Sequence, residues 1–121
     1  MNTIKEIQGA LRSFAEERDW NQFHSPKNLA TALSVEAAEL LEHFQWLSTE
    51  ASERDALSQT TLSEIEKELA DVFLYLLRLS DRLDVDLIEA AQKKLTINAE
   101  KYPVSLSKGN AVKYSRRDKD E

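Results

Sequence analysis

An all-α fold is expected from this sequence on three grounds. Only two Gly and two Pro occur among 121 residues, while Leu, Ala, Glu, Lys and Ser abound. Apolar residues recur at helical spacing over four stretches. Each stretch opens on a Ser, Thr or Asp able to cap it. Four such helices in one short domain imply a four-helix bundle-type protomer.

The first helix runs from about Ile4 to Arg18. Thr3 with Glu6 forms a capping box, and Ile4, Ile7, Leu11 and Phe14 share one stripe. Asp19 to His24 follows as an unusually aromatic loop. Ser25-Pro26 then starts a second helix, with Ser as N-cap and Pro at the first helical position. That helix reaches about Leu47, and Leu29, Leu33, Leu40, Phe44 and Leu47 carry its apolar side. From Ser48 to Ser63 the pattern weakens into Ser, Thr, Glu and Asp, which reads as a mobile linker with at most a short helical turn. A third helix begins near Leu62, behind a Thr61–Glu64 capping box, and continues to about Leu83. From Leu69 onward it is apolar nearly all round, so neighbours are expected on several sides, a second subunit among them. Asp86 with Glu89 caps a fourth helix over Leu87 to Lys101, which Tyr102-Pro103 stops. Residues 1–103 thus read as the helical domain and 104–121 as an irregular tail of low apolar content.

Bulk chemistry narrows the function. The chain has no Cys, which leaves no thiolate metal site and fits a reducing cytoplasm. Its N-terminus has no signal-peptide pattern, and no apolar run approaches membrane-spanning length. A net charge of -6 weighs against nucleic-acid binding. An anionic substrate would need local cations or metal ions to offset the carboxylates.

Those carboxylates are the most informative feature. Glu36 and Glu39 lie three residues apart on the second helix, and Glu68 and Asp71 repeat the spacing on the third. Glu36 interrupts the stripe between Leu33 and Leu40, and Asp71 sits between Ala70 and Val72 in an apolar run. Carboxylates rarely occupy such places unless they are paired or hold a metal. Either pair alone would more often be a solvated helix face; the shared spacing and the apolar setting favour an oxygen cage for Mg²⁺, with Mn²⁺ a substitute. A di-iron bundle would need Glu-x-x-His on two helices, and the two histidines, His24 and His43, do not provide it. Glu42, one turn beyond Glu39, is a candidate outer ligand or base. Lys94, Asn98 and Lys101 share a face of the fourth helix with Tyr102 beside them; such a face could hold a polyphosphate and read a base or sugar, although by itself it is more often an ordinary exposed strip. Trp20 and Trp46 are candidates for stacking a base, and His24 for contacting the ligand or capping its loop.

With these residues in place, the sequence resembles the MazG-type all-α nucleoside triphosphate pyrophosphohydrolases, and among them the dCTP pyrophosphatase branch. The matching segments are Phe14 to His24, Pro26 with Asn28-Leu29, and Glu36-Ala37-Ala38-Glu39-Leu40. Phe44-Gln45-Trp46, Glu68-Leu69-Ala70-Asp71-Val72, Val85-Asp86-Leu87 and Asn98 to Pro103 complete them. The resemblance covers most of residues 4–103. It departs at Leu11, where the animal dCTP pyrophosphatases carry a histidine, and at Ser115-Arg116-Arg117-Asp118 in the tail.

The resemblance implies a Mg²⁺-dependent hydrolase splitting a nucleoside triphosphate, dCTP or a modified dCTP foremost, into monophosphate and pyrophosphate. Glu36, Glu39, Glu68 and Asp71 would hold the metal, and Glu39 or Glu42 would orient or deprotonate the water. Trp20 and Trp46 would line the base pocket, with Lys94, Asn98 and Tyr102 on the nucleotide. A homo-oligomer, dimer or tetramer, acting on the cytoplasmic nucleotide pool, is also implied. The competing expectations are a helical interaction module without catalysis, or a regulator that binds a nucleotide without cleaving it.

Overall fold

A computed structural model of the chain describes residues 2–117. Positions 118–121, which include the end of the expected irregular tail, lie outside the described residues. The described residues are helical and contain no strand: α1 (Ile4–Glu17), α2 (Pro26–Glu42), α3 (Gln59–Arg82), α4 (Leu87–Lys101) and the single turn α5 (Val104–Ser107). None of these helices is long and apolar enough to cross a membrane. The chain divides into two compact units, the first ending at Val85 and the second beginning at Asp86.

The first unit is α1, α2 and α3, with α3 packed against both others and most extensively against α2. Its dry centre is small: Ala15, Leu29, Ile65 and Leu77 are the buried apolar side chains. Polar ties reinforce it. Gln8 on α1 donates to the Ser80 hydroxyl at 3.1 Å and to the Leu77 carbonyl at 3.3 Å. Arg12 donates to both oxygens of Asp81, at 3.0 and 3.3 Å.

The helix starts follow side-chain chemistry. Thr3 Oγ1 accepts from Glu6 N, Ser25 Oγ from Asn28 N, and Asp86 Oδ1 from Glu89 N. Two ends differ from the sequence reading. α3 begins at Gln59, because Ser58 is the extended N-cap and its Oγ takes the Thr61 N–H at 3.1 Å. Thr61 therefore sits inside the first turn. α2 stops at Glu42, where the bonding tightens: His43 N and Phe44 N donate three residues back, to Leu40 and Leu41. Leu47 N likewise donates to Phe44 O, so the helix does not continue to Leu47. The intervening segment contains two 3-10 turns, Glu50–Ser52 and Arg54–Ala56.

Both α1 and α3 end in the same way. After α1, Trp20 N donates to Ala15 O and Asp19 N to Glu16 O, with Asp19 at φ 54°. After α3, Val85 N donates to Ser80 O and Asp84 N to Asp81 O, with Asp84 at φ 54°. This is the Schellman arrangement, whose left-handed position favours glycine; a side chain there costs strain. Asp84→Gly should therefore stabilise the protein by about 0.5–1 kcal/mol. Urea unfolding checks it, and a midpoint at or below that of the wild type would contradict it. The first of these turns also delivers Trp20 against Phe14, ring centroids 5.7 Å apart.

The second unit contains α4 and α5. Near the end of α4 the rings of Tyr102 and Tyr114 meet edge to face at 6.0 Å. Lys101 Nζ lies 4.7 Å from the Tyr114 ring centroid and the Arg117 guanidinium 5.5 Å from that of Tyr102. Arg117 also donates to the Lys101 carbonyl and, at 3.1 Å, to the Ser107 hydroxyl.

Candidate active site

The packing of α2 against α3 brings carboxylates from both helices together. One oxygen each from Glu36, Glu39 and Glu68 lies within 4.8 Å of the other two. All three residues are partly buried. Glu36 Oε2 and Glu68 Oε2 are shut off from solvent without a hydrogen-bond partner among the described residues. Orphaned buried oxygens of this kind are costly unless something cationic satisfies them.

The cost shows in Glu36, whose carboxyl is pushed up from 4.5 to about 7. Burial is the largest cause, followed by the adjoining carboxyl group and charge of Glu39. The Asp71 charge and the neighbouring Glu68 carboxyl add to these. Asp71 thus stands near enough to repel Glu36, although its own side chain is exposed. Folding holds a proton on Glu36 that the unfolded chain releases, so stability should fall as pH rises from about 4.5 to about 7 in metal-free protein. Melting temperatures across that range, with and without Mg²⁺, test this; Mg²⁺ should raise Tm most above pH 7. A flat profile without metal would contradict the crowding of these carboxylates.

Asp71 also connects the cluster to a cavity of about 440 Å³ within the first unit. Leu11, Phe14, Trp20, His24, Leu74, Tyr75 and Arg78 form much of its wall. That volume lies in the range of small-molecule sites, about 300–1,000 Å³, and its mainly apolar wall with a few polar groups is what such sites use. Trp20 meets Phe14 on one side and His24 on the other, both edge to face.

Of the residues singled out in the sequence, Glu36, Glu39 and Glu68 are therefore clustered, and Asp71, Trp20 and His24 line the adjoining cavity. Glu42, the last residue of α2, is exposed and outside the cluster. Trp46 is 89% exposed and is not among the residues lining the cavity. Lys94, Asn98, Lys101 and Tyr102 belong to α4 and its end in the second unit, where Lys101 and Tyr102 engage Tyr114 and Arg117. Tyr75 and Arg78 were missed in the sequence. Tyr75 gives no signal in an all-apolar helix, but Arg78 interrupts Leu76-Leu77 and Leu79 as Asp71 interrupts its own run.

A family model described as MazG-like matches residues 31–116. The dCTP pyrophosphatase 1 of Bos taurus is 42% identical over 113 residues, which is 93% of this chain and 67% of the bovine protein. The Homo sapiens dCTP pyrophosphatase 1 is 39% identical over the same share of this chain and 66% of its own length. The chain thus spans about two thirds of the length of these relatives. The crystal structure of a pyrophosphatase from Archaeoglobus fulgidus is also similar, with a TM-score of 0.75 and 43% identity. It covers 82% of this chain and 91% of the archaeal one.

Proposed function

The chain belongs to the MazG-like family, and from that membership we propose that it is a nucleoside triphosphate pyrophosphohydrolase. The proposed substrate is dCTP or a modified dCTP, which water splits into the monophosphate and pyrophosphate. The names of its relatives support the reaction class, and one observation in the chain itself carries the reading. Partly buried carboxylates with unpartnered oxygens adjoin, through Asp71, an aromatic-walled cavity of nucleotide-site volume.

Glu36, Glu39, Glu68 and Asp71 would hold Mg²⁺; unpartnered oxygens and crowded negative charge suit a hard divalent cation. Bound there, the metal would supply charge neutralisation for the triphosphate and acidify a coordinated water. Glu39, inside the cluster, is the first candidate to orient that water or take its proton, with Glu42 the alternative. Trp20, Phe14 and Tyr75 offer ring faces and edges to a base and exclude water from it. Lys94, Asn98, Lys101 and Tyr102 are the candidates on α4 and at its end for contacting the nucleotide, and Trp46 is a candidate for stacking its base.

A homo-oligomer in the cytoplasm completes the reading. Leu69, Phe73 and Leu76 share one stripe of α3 and are 53%, 42% and 37% exposed, an apolar surface that suits a second copy.

Pyrophosphate release from a panel of NTPs and dNTPs, with Mg²⁺ and with EDTA, tests the assignment. Metal-dependent release, strongest with cytosine deoxynucleotides, is expected. No release from any nucleotide by a folded sample would overturn it in favour of a non-catalytic module.

A further inference from the structure

Arg78 is 5% exposed, a guanidinium set in the apolar wall of α3. Its ion pairing is poor: the nearest carboxylate oxygen, on Asp81, is 3.7 Å away and is already held by Arg12. A buried cation with one distant, shared counter-charge is expensive, so what its N–H groups are aimed at matters. Nη2 donates to Asn21 Oδ1 at 2.7 Å, and Nε donates to His24 Nδ1 at 3.2 Å. Both acceptors belong to the aromatic loop after α1. Both His24 and Arg78 line the cavity.

The second of these bonds fixes a proton elsewhere. A guanidinium has five donors and no acceptor, so the nitrogen it meets must carry a lone pair. His24 Nδ1 is then unprotonated, and a neutral ring carries its proton on Nε2. Placing a proton on Nδ1 as well would set two donors and two positive charges face to face. Burial, Arg78 and the further charge of Arg82 accordingly hold His24 below the usual histidine range. Asp81, Arg12 and Glu16 surround the far side of Arg78, where Arg12 and Asp81 neutralise each other. With Nδ1 engaged, any hydrogen bond that the ring gives a cavity ligand must come from Nε2–H.

We propose that Arg78, with Asn21, is a positioning residue that locks His24 as the neutral Nε2–H tautomer. The cavity then presents a fixed donor to a carbonyl or ring-nitrogen acceptor of the base. His24 in this role discriminates by hydrogen bonding and is neither a cation for phosphate nor a proton shuttle. This inference rests on the nucleotide reading above for the identity of the ligand, but the tautomer itself is a property of the free protein.

The test is long-range ¹H–¹⁵N NMR of the imidazole groups in the full-length, nucleotide-free protein. Only His24 and His43 contribute, and His43→Gln assigns them. The Nε2–H pattern is expected for His24 in the wild type. Arg78→Met should convert it to mixed tautomers and raise KM for dCTP about tenfold, the loss of one well-placed hydrogen bond, with a much smaller change in kcat. Arg78→Lys, which retains a donor, should restore part of both. An Nδ1–H or doubly protonated His24 in the wild type overturns the proposal, whether or not any Arg78 variant folds. So does a folded Arg78→Met protein with an unchanged His24 pattern or unchanged KM. If the pattern responds to Arg78→Met but no nucleotide is hydrolysed, the lock stands and the assignment of a base as its ligand falls.

Discussion

Glu36→Gln should reduce pyrophosphate release by about a thousandfold or more and yet make the metal-free protein more stable above pH 7. The two effects share one cause. Glu36 sits against Glu39 and Glu68, with Asp71 near, and its carboxyl is held at about 7 because ionising it there is unfavourable. Gln keeps the shape and removes the charge, so the folded metal-free chain no longer carries that repulsion. Below about pH 4.5 both chains are neutral at this position and their stabilities should coincide. As pH rises to about 7 the variant should gain on the wild type, and the gap should stay constant above that. The same substitution removes an anionic ligand, so the Tm increase on adding Mg²⁺ should shrink. A metal cage predicts this opposition between stability and activity; an ordinary structural carboxylate predicts that both fall together. Retention of turnover within about tenfold of the wild type, or a lower Tm for the metal-free variant at pH 8, would remove Glu36 from the site.

How much of this was legible in the sequence follows from what kind of signal each feature leaves. α4 was readable to the residue because Asp86 caps one end and Tyr102-Pro103 stops the other. The start of α3 was misplaced because Ser58 and Thr61 both offer hydroxyl caps, and only the extended backbone at Ser58 decides between them. The end of α2 was placed too late because Phe44 and Leu47 continue the apolar periodicity after the helical hydrogen bonding has tightened. The carboxylate cluster was legible because a charge at a stripe position contradicts its neighbours, and Glu36 carries that contradiction openly. Arg78 carries it too, but its meaning lies in partners on a loop far along the chain, Asn21 and His24, which spacing does not predict. Tyr75 and Leu74 blend into an apolar helix, so the cavity wall they form had no sequence signal. The contacts of Tyr102 and Lys101 with Tyr114 and Arg117 were invisible for a similar reason: they arise from the chain turning back on itself within the second unit.

The proposed homo-oligomer predicts that Phe73→Asp dissociates it and lowers stability by several kcal/mol per protomer, because the chain by itself leaves so much of α3 unburied. Ala15, Leu29, Ile65 and Leu77 are the buried apolar side chains among the described residues, whereas Leu69, Phe73 and Leu76 expose a continuous stripe of α3. Covering such a stripe stabilises by about 1.5–3 kcal/mol per large side chain, comparable with the whole stability of a small domain. A carboxylate at its centre would have to be desolvated on association, so the variant should remain monomeric. Asp71 lies within the same stretch of α3, between Leu69 and Phe73. Loss of the proposed assembly should therefore also disturb the carboxylate cluster and the cavity wall, and pyrophosphate release should fall with it. Light scattering coupled to size exclusion gives the assembly state, and Tm measured over a range of protein concentrations separates association from folding. The wild-type Tm should rise with concentration and that of Phe73→Asp should not. A monomeric, fully active wild type would refute this account of the α3 stripe. A Phe73→Asp protein with the wild-type mass and Tm would do the same, and the stripe would then be a surface that the fold tolerates uncovered.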